Sequence, residues 1–235
     1  MIMWMRNEAM RRLVSRNRLV RFLSFGVHNR IQAMLLSGHK HPVTLRRLRK
    51  AASGTDSLLS SDEAFLLHEL AHAQAGMEGD FAEFGVYQGA SAELLCMVKG
   101  SRTLHLFDTF EGLPPPGERE RAIFEKGEFC GTLDTVRRKL AGYGQVSYHP
   151  GFFPDSAAGL EERRYSFVHL DVDLHEATLA GLSYFYPRMV PGGIIVTHDY
   201  SIIEGVASAF SAYLADKPER VIELPTTQAM IIRRA

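Results

Sequence analysis

A chain of 235 residues with 46% hydrophobic and 23% charged residues and no formal net charge suits one globular domain with an appendage, and excludes a disordered or low-complexity protein. Its two cysteines, Cys96 and Cys130, provide no disulfide framework, so a reducing cytoplasm is the expected setting. No run approaches the ~18 uninterrupted apolar residues of a membrane span, and the Arg-rich start lacks the apolar core and cleavage site of a secretory signal.

Charge is unevenly spread along the chain. Residues 1–53 carry 12 Lys/Arg and a single acid, Glu8. Met10, Leu13, Val14, Leu19, Val20, Phe22 and Leu23 interleave with arginines at helical spacing, so residues 1–55 read as a basic, amphipathic helical arm. Such an arm is expected to pack on the main domain or on a second copy, making a homo-oligomer, or to touch an anionic membrane surface, and to take no part in chemistry. Nucleic acid is not the expected partner, because no interleaved aromatic platform accompanies the basic run.

Residues 60–76 read as a helix, with Leu66, Leu67, Leu70 and Ala71 on its apolar face. It contains His68-Glu69-Leu70-Ala71-His72, the zinc-hydrolase pattern, in which histidines four apart share a helical face. Zinc also needs a third ligand, and no acid or His follows at ligand spacing before the next strand. The plainer alternative is a surface helix with two solvated histidines.

From residue 80 the rhythm changes. Short apolar runs at 80–85, 102–108, 145–151, 165–171 and 192–199 alternate with helical stretches, and two further runs, 220–224 and 228–234, follow without a helix between them. This predicts an α/β fold in residues 56–235, a Rossmann-like, doubly wound seven-stranded sheet, mostly parallel, closed by an antiparallel C-terminal hairpin.

Ligands in such sheets bind beyond the carboxyl ends of the strands. The first strand is followed by Gly85 and Gly89, which permit close backbone approach, although their spacing is not GxGxxG. Asp108 ends the second strand, 25 residues beyond Glu83, where an acid suits a ribose diol. Asp171 and Asp173 follow the fourth, and His198 and Asp199 the fifth, so carboxylates and an imidazole gather at one rim and can hold a divalent metal. Asp199 directly follows His198, so both reach one ion only if the strand ends there and the chain turns.

The segments FAEFGVYQGASAELL, LHLFDTFEGLP, GFFPDS and HLDVDLHEATLAGLSYFYPRMVPGGIIVTHDY, with the closing hairpin, resemble the macrocin O-methyltransferase family over about residues 78–233. The resemblance implies S-adenosylmethionine as methyl donor, a divalent metal (magnesium or manganese) and a sugar hydroxyl as acceptor, on a small molecule or saccharide. It implies that Glu83, Gly85, Tyr87, Gly89 and Ser91 line the cofactor, that Asp108 binds its ribose with Thr109 and Phe110 alongside, and that Asp155 and Ser156 close the site. Asp171 matches a metal ligand and general base, and His198 and Asp199 match a pair of acidic ligands. His198 departs from that pattern by standing where the family has Asp, and His175 by replacing a usual Tyr. Imidazole is softer than carboxylate, which favours manganese or another transition ion over magnesium. The competing readings are a nicotinamide-dependent reductase, disfavoured by the missing GxGxxG and the closing hairpin, and a non-catalytic cofactor-binding scaffold.

Overall fold

In the computed structural model, residues 18–234 are described except 119 and 122. Met10, Leu13 and Val14 of the arm pattern, and the side chains of Leu19, Val20, Phe22 and Leu23, lie outside the described residues. The elements run α1 (Arg18–Ser37), α2 (Pro42–Ala52), α3 (Ser61–Gln74), β1 (Asp80–Phe84), α4 (Ala90–Cys96), β2 (Leu104–Asp108), α5 (Leu133–Leu140), β3 (Val146–Pro150), β4 (Tyr165–Leu170), α6 (His175–Phe185), β5 (Met189–Thr197), α7 (Glu204–Tyr213), β6 (Ile222–Glu223) and β7 (Ala229–Ile232).

The strands form one sheet in the order β3-β2-β1-β4-β5-β7-β6. Strands β1 to β5 pair in parallel, while β7 runs antiparallel to both β5 and β6. The expected closing hairpin is present, with β7 inserted between β5 and β6. Order reverses beside β1: the chain winds outward through β2 and β3, then returns to β4 on the other side. The ends of β1 and β4 therefore frame the crevice where a doubly wound sheet binds ligands.

Two-residue alternation sorts the strand side chains between two apolar layers. Phe81, Leu104, Leu106, Phe167, Ile194 and Val196 face the layer of α1 to α5, where Leu67, Leu94, Leu95, Val136 and Leu140 are buried. Ala82, Phe107, Val168, Leu170 and Ile195 face α6 and α7, against Leu182, Phe185, Val206 and Phe210. All six residues of β4 are buried, as a central strand covered on both faces requires.

The described part of the arm expected at residues 1–55 packs on the rest of the chain. Helix α2 buries Leu45, Leu48 and Ala51, and α1 buries Leu36, in the same cluster as Phe81 and Leu94. Helix α3 starts at a capping box in which the Ser60 hydroxyl accepts from the Glu63 N–H, while the Glu63 carboxylate accepts from the Ser60 N–H. Its buried face is Glu63, Ala64, Leu67, His68, Ala71 and Gln74, so Leu66 and Leu70 lie to its sides. No described helix is long and apolar enough to cross a membrane.

Candidate active site

A cavity of about 1110 Å³ opens at the carboxyl ends of β1, β2, β4 and β5. Its polar floor includes Ser91, Asp108, Asp171, Asp173, His198 and Asp199, and its walls include Val27, Ile31, Leu58, Leu59, Leu113, Phe129, Phe152 and Ile202.

The turn after β1 is fixed by a close approach of backbone to backbone. Gly85 has φ +89°, and a Cβ there would lie 1.8 Å from the Asp171 carbonyl oxygen, so no side chain fits. The loop is then held from β2. Asp108 Oδ2 accepts from the N–H groups of Val86 at 2.7 Å and Tyr87 at 3.1 Å, and Oδ1 accepts from Phe110 N–H at 2.8 Å. Asp108 thus organises the loop with three of its acceptor positions while still reaching the cavity.

Among the expected cofactor residues, Gly85, Tyr87, Ser91, Asp108 and Thr109 line the cavity, whereas Glu83, Gly89, Phe110, Asp155 and Ser156 do not. Glu83 points to the other side of β1, fully buried beneath the loop, with Oε1 2.9 Å from His169 Nδ1. Burial pushes its carboxyl up to about 8, the neighbouring Asp108 charge adding and Ser91 opposing. Burial likewise holds His169 down at about 4, so desolvation favours the uncharged form of both partners. Gly89 is the left-handed N-cap of α4, set behind the loop. Phe110 is buried in the core. Asp155 and Ser156 belong to a single helical turn, while Gly151, Phe152 and Phe153 take the cavity side.

Across the cavity, Asp171, His198 and Asp199 come together with one ligand atom from each within 4.8 Å of the others. His198 Nδ1 lies 3.5 Å from Asp171 Oδ1 and 3.4 Å from Asp199 Oδ1. The turn this requires is present. Strand β5 ends at Thr197, and Asp199 takes a left-handed φ of 55° while its carbonyl accepts from Ile203 N–H at 2.8 Å. Left-handed backbone outside glycine recurs at Tyr87, Phe129 and Asp173 on the cavity, and at Phe110 and Gln145 away from it. Asp173, with φ 60°, is part of the rim as its spacing suggested.

The electrostatics of this corner are unusual. Burial alone would lower the His198 pKa, but Asp199, Asp171 and Glu63 outweigh it and raise the imidazole well above its ordinary value. Desolvation raises Asp171 against the pull of His198 and His169, and raises Asp173 well above the usual carboxylate range, with Asp199 and Asp171 adding. Negative groups outnumber the single imidazole.

His68 and His72 stay away from this cavity. His68 is only 1% exposed, not solvated, and its ring nitrogens face Arg47 at 3.2 Å and Glu69 at 2.8 Å. The same helix nevertheless reaches the site through Glu63, which the sequence reading missed; the capping-box spacing from Ser60 was its only local signal. Helix α1 also contributes, through Val27, His28, Ile31 and Gln32 on the cavity wall.

Sheet order, reversed β7 and a polar rim at the point where the strand order turns define a Rossmann-like O-methyltransferase fold. The chain belongs to the macrocin O-methyltransferase family, since the family model described as Macrocin-O-methyltransferase (TylF) matches residues 67–228. It is 34% identical over 143 residues to the 8-demethyl-8-(2,3-dimethoxy-alpha-L-rhamnosyl)-tetracenomycin-C 4'-O-methyltransferase of Streptomyces olivaceus, covering 54% of this chain and 55% of that one. It is 31% identical over 145 residues to the Mycinamicin III 3''-O-methyltransferase of Micromonospora griseorubida, covering 54% and 57%. The matched stretch thus spans little more than half the length of these curated relatives. Among solved structures, the O-methyltransferase NovP superposes with TM-score 0.70 at 20% identity, covering 91% of this chain and 99% of that one. TomG of Streptomyces achromogenes, an O-methyltransferase involved in tomaymycin synthesis and solved with SAM, superposes with TM-score 0.62 at 16% identity, covering 89% and 98%.

Proposed function

We propose that this chain transfers a methyl group from S-adenosylmethionine to a hydroxyl of a neutral sugar carried on an apolar natural product, assisted by a divalent cation. The observation that carries this reading is that one cavity joins the Gly85–Ser91 loop and Asp108 to the Asp171, His198 and Asp199 cluster across from them. The methyltransferase relatives support the donor and the acceptor class. Asp108 is assigned to the donor's ribose, with Gly85, Tyr87, Ser91 and Thr109 beside it. Glu83, Gly89 and Phe110 support that loop from behind.

The residues present fit a cation. Two carboxylate oxygens and Nδ1, once the imidazole gives up a proton to the incoming ion, would form a three-donor set of the type that takes manganese, iron or zinc more readily than magnesium. Bound there, the ion would act as a Lewis acid and lower the pKa of the acceptor hydroxyl. Asp171, which the family resemblance matches to a ligand and general base, is assigned to take that proton. The apolar walls would limit water around the reacting groups, and the loop anchored by Asp108 would hold the donor, positioning being the main contribution to direct methyl transfer.

No described Lys or Arg lines the cavity. A nucleotide-linked sugar brings a diphosphate that needs cationic partners, so an acceptor whose body is neutral and apolar suits Val27, Ile31, Leu58 and Leu59. Exposed Val27, Ile31, Met34 and Leu35 lie along one side of α1 and support self-association or contact with a membrane surface through the arm. The unpaired cysteines suit the cytoplasm. Incubating the protein with methyl-labelled S-adenosylmethionine and a panel of glycosides and nucleotide sugars tests the reading. Label is expected in the glycosides, and label confined to nucleotide sugars would reverse the acceptor assignment.

A further inference from the structure

His198 presents two ring edges, and only one faces the cation cluster. Its Nδ1 is directed at Asp171 and Asp199. Its Nε2 is buried and lies 3.4 Å from Glu63 Oε2, an ionic approach short of an aligned hydrogen bond, with no hydrogen-bond partner among the described residues. A capping-box glutamate usually serves its own helix from the surface, but Glu63 is only 5% exposed and is tied to three separate elements. Oε2 accepts from Ser60 N–H at 2.9 Å, and Oε1 accepts from the Thr227 hydroxyl at 2.6 Å in the loop between β6 and β7. The carboxylate is therefore held in place against the far side of the imidazole.

We infer that Glu63 is a positioning residue: its fixed carboxylate faces the His198 Nε2–H at 3.4 Å, and so keeps the ring oriented with the Nδ1 lone pair toward a divalent cation shared with Asp171 and Asp199. A carboxylate behind a ligating imidazole fixes both the tautomer and the plane of the ring, and losing one costs about 10–100-fold in metal affinity. Only a histidine at this position has a second edge to hold, so the role is tied to His198 itself. The inference rests on the cation reading of the previous section.

Manganese binding to the full chain, measured by calorimetry in wild type, Asp171→Asn, Glu63→Gln and Thr227→Val, separates the two. Glu63→Gln is expected to weaken manganese about 10–100-fold, and Thr227→Val, which loosens Glu63 without touching it, a few-fold, both with S-adenosylmethionine affinity unchanged. Pulsed electron paramagnetic resonance of the bound ion should detect an imidazole nitrogen in wild type and a weaker coupling in Glu63→Gln. On a His198→Asp background there is no ring to orient, so the Glu63→Gln loss should vanish. An equal loss on that background would mean that Glu63 acts through its charge alone, and would overturn positioning. Unchanged manganese affinity in both Glu63→Gln and Thr227→Val, with binding lost in Asp171→Asn, would overturn it while leaving the cation reading intact. Manganese binding no tighter in wild type than in Asp171→Asn would remove the cation reading and this inference together.

Discussion

Around Asp108 a carboxylate is surrounded by backbone N–H groups, whereas around His198 an imidazole is surrounded by carboxylates. The first arrangement is satisfied within the protein: three N–H groups converge on one side chain and the β1 loop is locked. The second is charge-unbalanced, because three carboxylates, Asp171, Asp199 and Glu63, surround one imidazole at 3.4–3.5 Å. One end of the cavity is a finished scaffold for a ligand, and the other carries an excess of negative charge that a cation would neutralise. A rigid binding loop and a charged reactive corner can therefore be broken separately.

The largest effect is expected on the reactive corner. Asp171→Asn should lower the rate of methyl transfer about 10²–10⁴-fold, the range for removing a positioned acid–base group, while S-adenosylmethionine affinity measured by calorimetry changes less than about twofold. A parallel loss of donor affinity would mean that the two ends are not independent. Next in size, Asp108→Ala leaves three N–H groups without their acceptor, at about 1–3 kcal/mol for each one left unsatisfied. Donor affinity should fall by about 10–100-fold or more, and Asp108→Asn, which keeps an acceptor oxygen, should retain part of it. Equal losses in both variants would assign the effect to charge rather than to loop support.

A smaller effect concerns stability beneath the loop. Glu83 stays protonated in the fold up to about 8 but ionises in the unfolded chain above 4.5, so its contribution to stability is lost as pH rises between those values. His169 acts oppositely, costing stability as pH falls from 6.5 through about 4. In thermal unfolding between pH 6.5 and 8 the raised His198, Asp171 and Asp173 titrate as well, so Glu83 is read by difference: Glu83→Gln should flatten part of the decline of wild type in that window. An unchanged slope would indicate that the pair is ionic after all. The smallest effect is expected at the wall, where Ile31→Ser should raise the acceptor KM a few-fold with kcat and donor affinity unchanged, because Ile31 is half exposed and offers part of an apolar surface.

Much of this was legible in the sequence. The strand end at Asp108, and those just before Asp171 and His198, follow from apolar runs closed by a polar residue, and a turn at Asp199 was the condition for consecutive side chains to face one site. Glu83 lies off the cavity for a reason also present in the sequence: it sits one residue before Phe84 on β1, and alternation turns it to the face that carries Phe81 and α1 to α5. Asp155 and Ser156 lie off the cavity because the chain folds into a helical turn after Phe153, while Gly151, Phe152 and Phe153 line it. Glu63 could not be found locally, because its burial depends on Thr227, 164 residues away, brought near by the insertion of β7 beside β5. The reach of α1 over the cavity was hidden for the same reason, since amphipathic spacing reports a buried face without naming what it covers.

The most direct measurement is methyl transfer from labelled S-adenosylmethionine to an accepting glycoside, before and after chelation, with elemental analysis of the same protein. Transfer is expected to fall to background in chelator and to return with manganese, while donor affinity stays constant throughout. Full transfer in chelator by protein free of bound metal would contradict a cation at Asp171, His198 and Asp199, and would leave those three residues as a metal-free acid–base group.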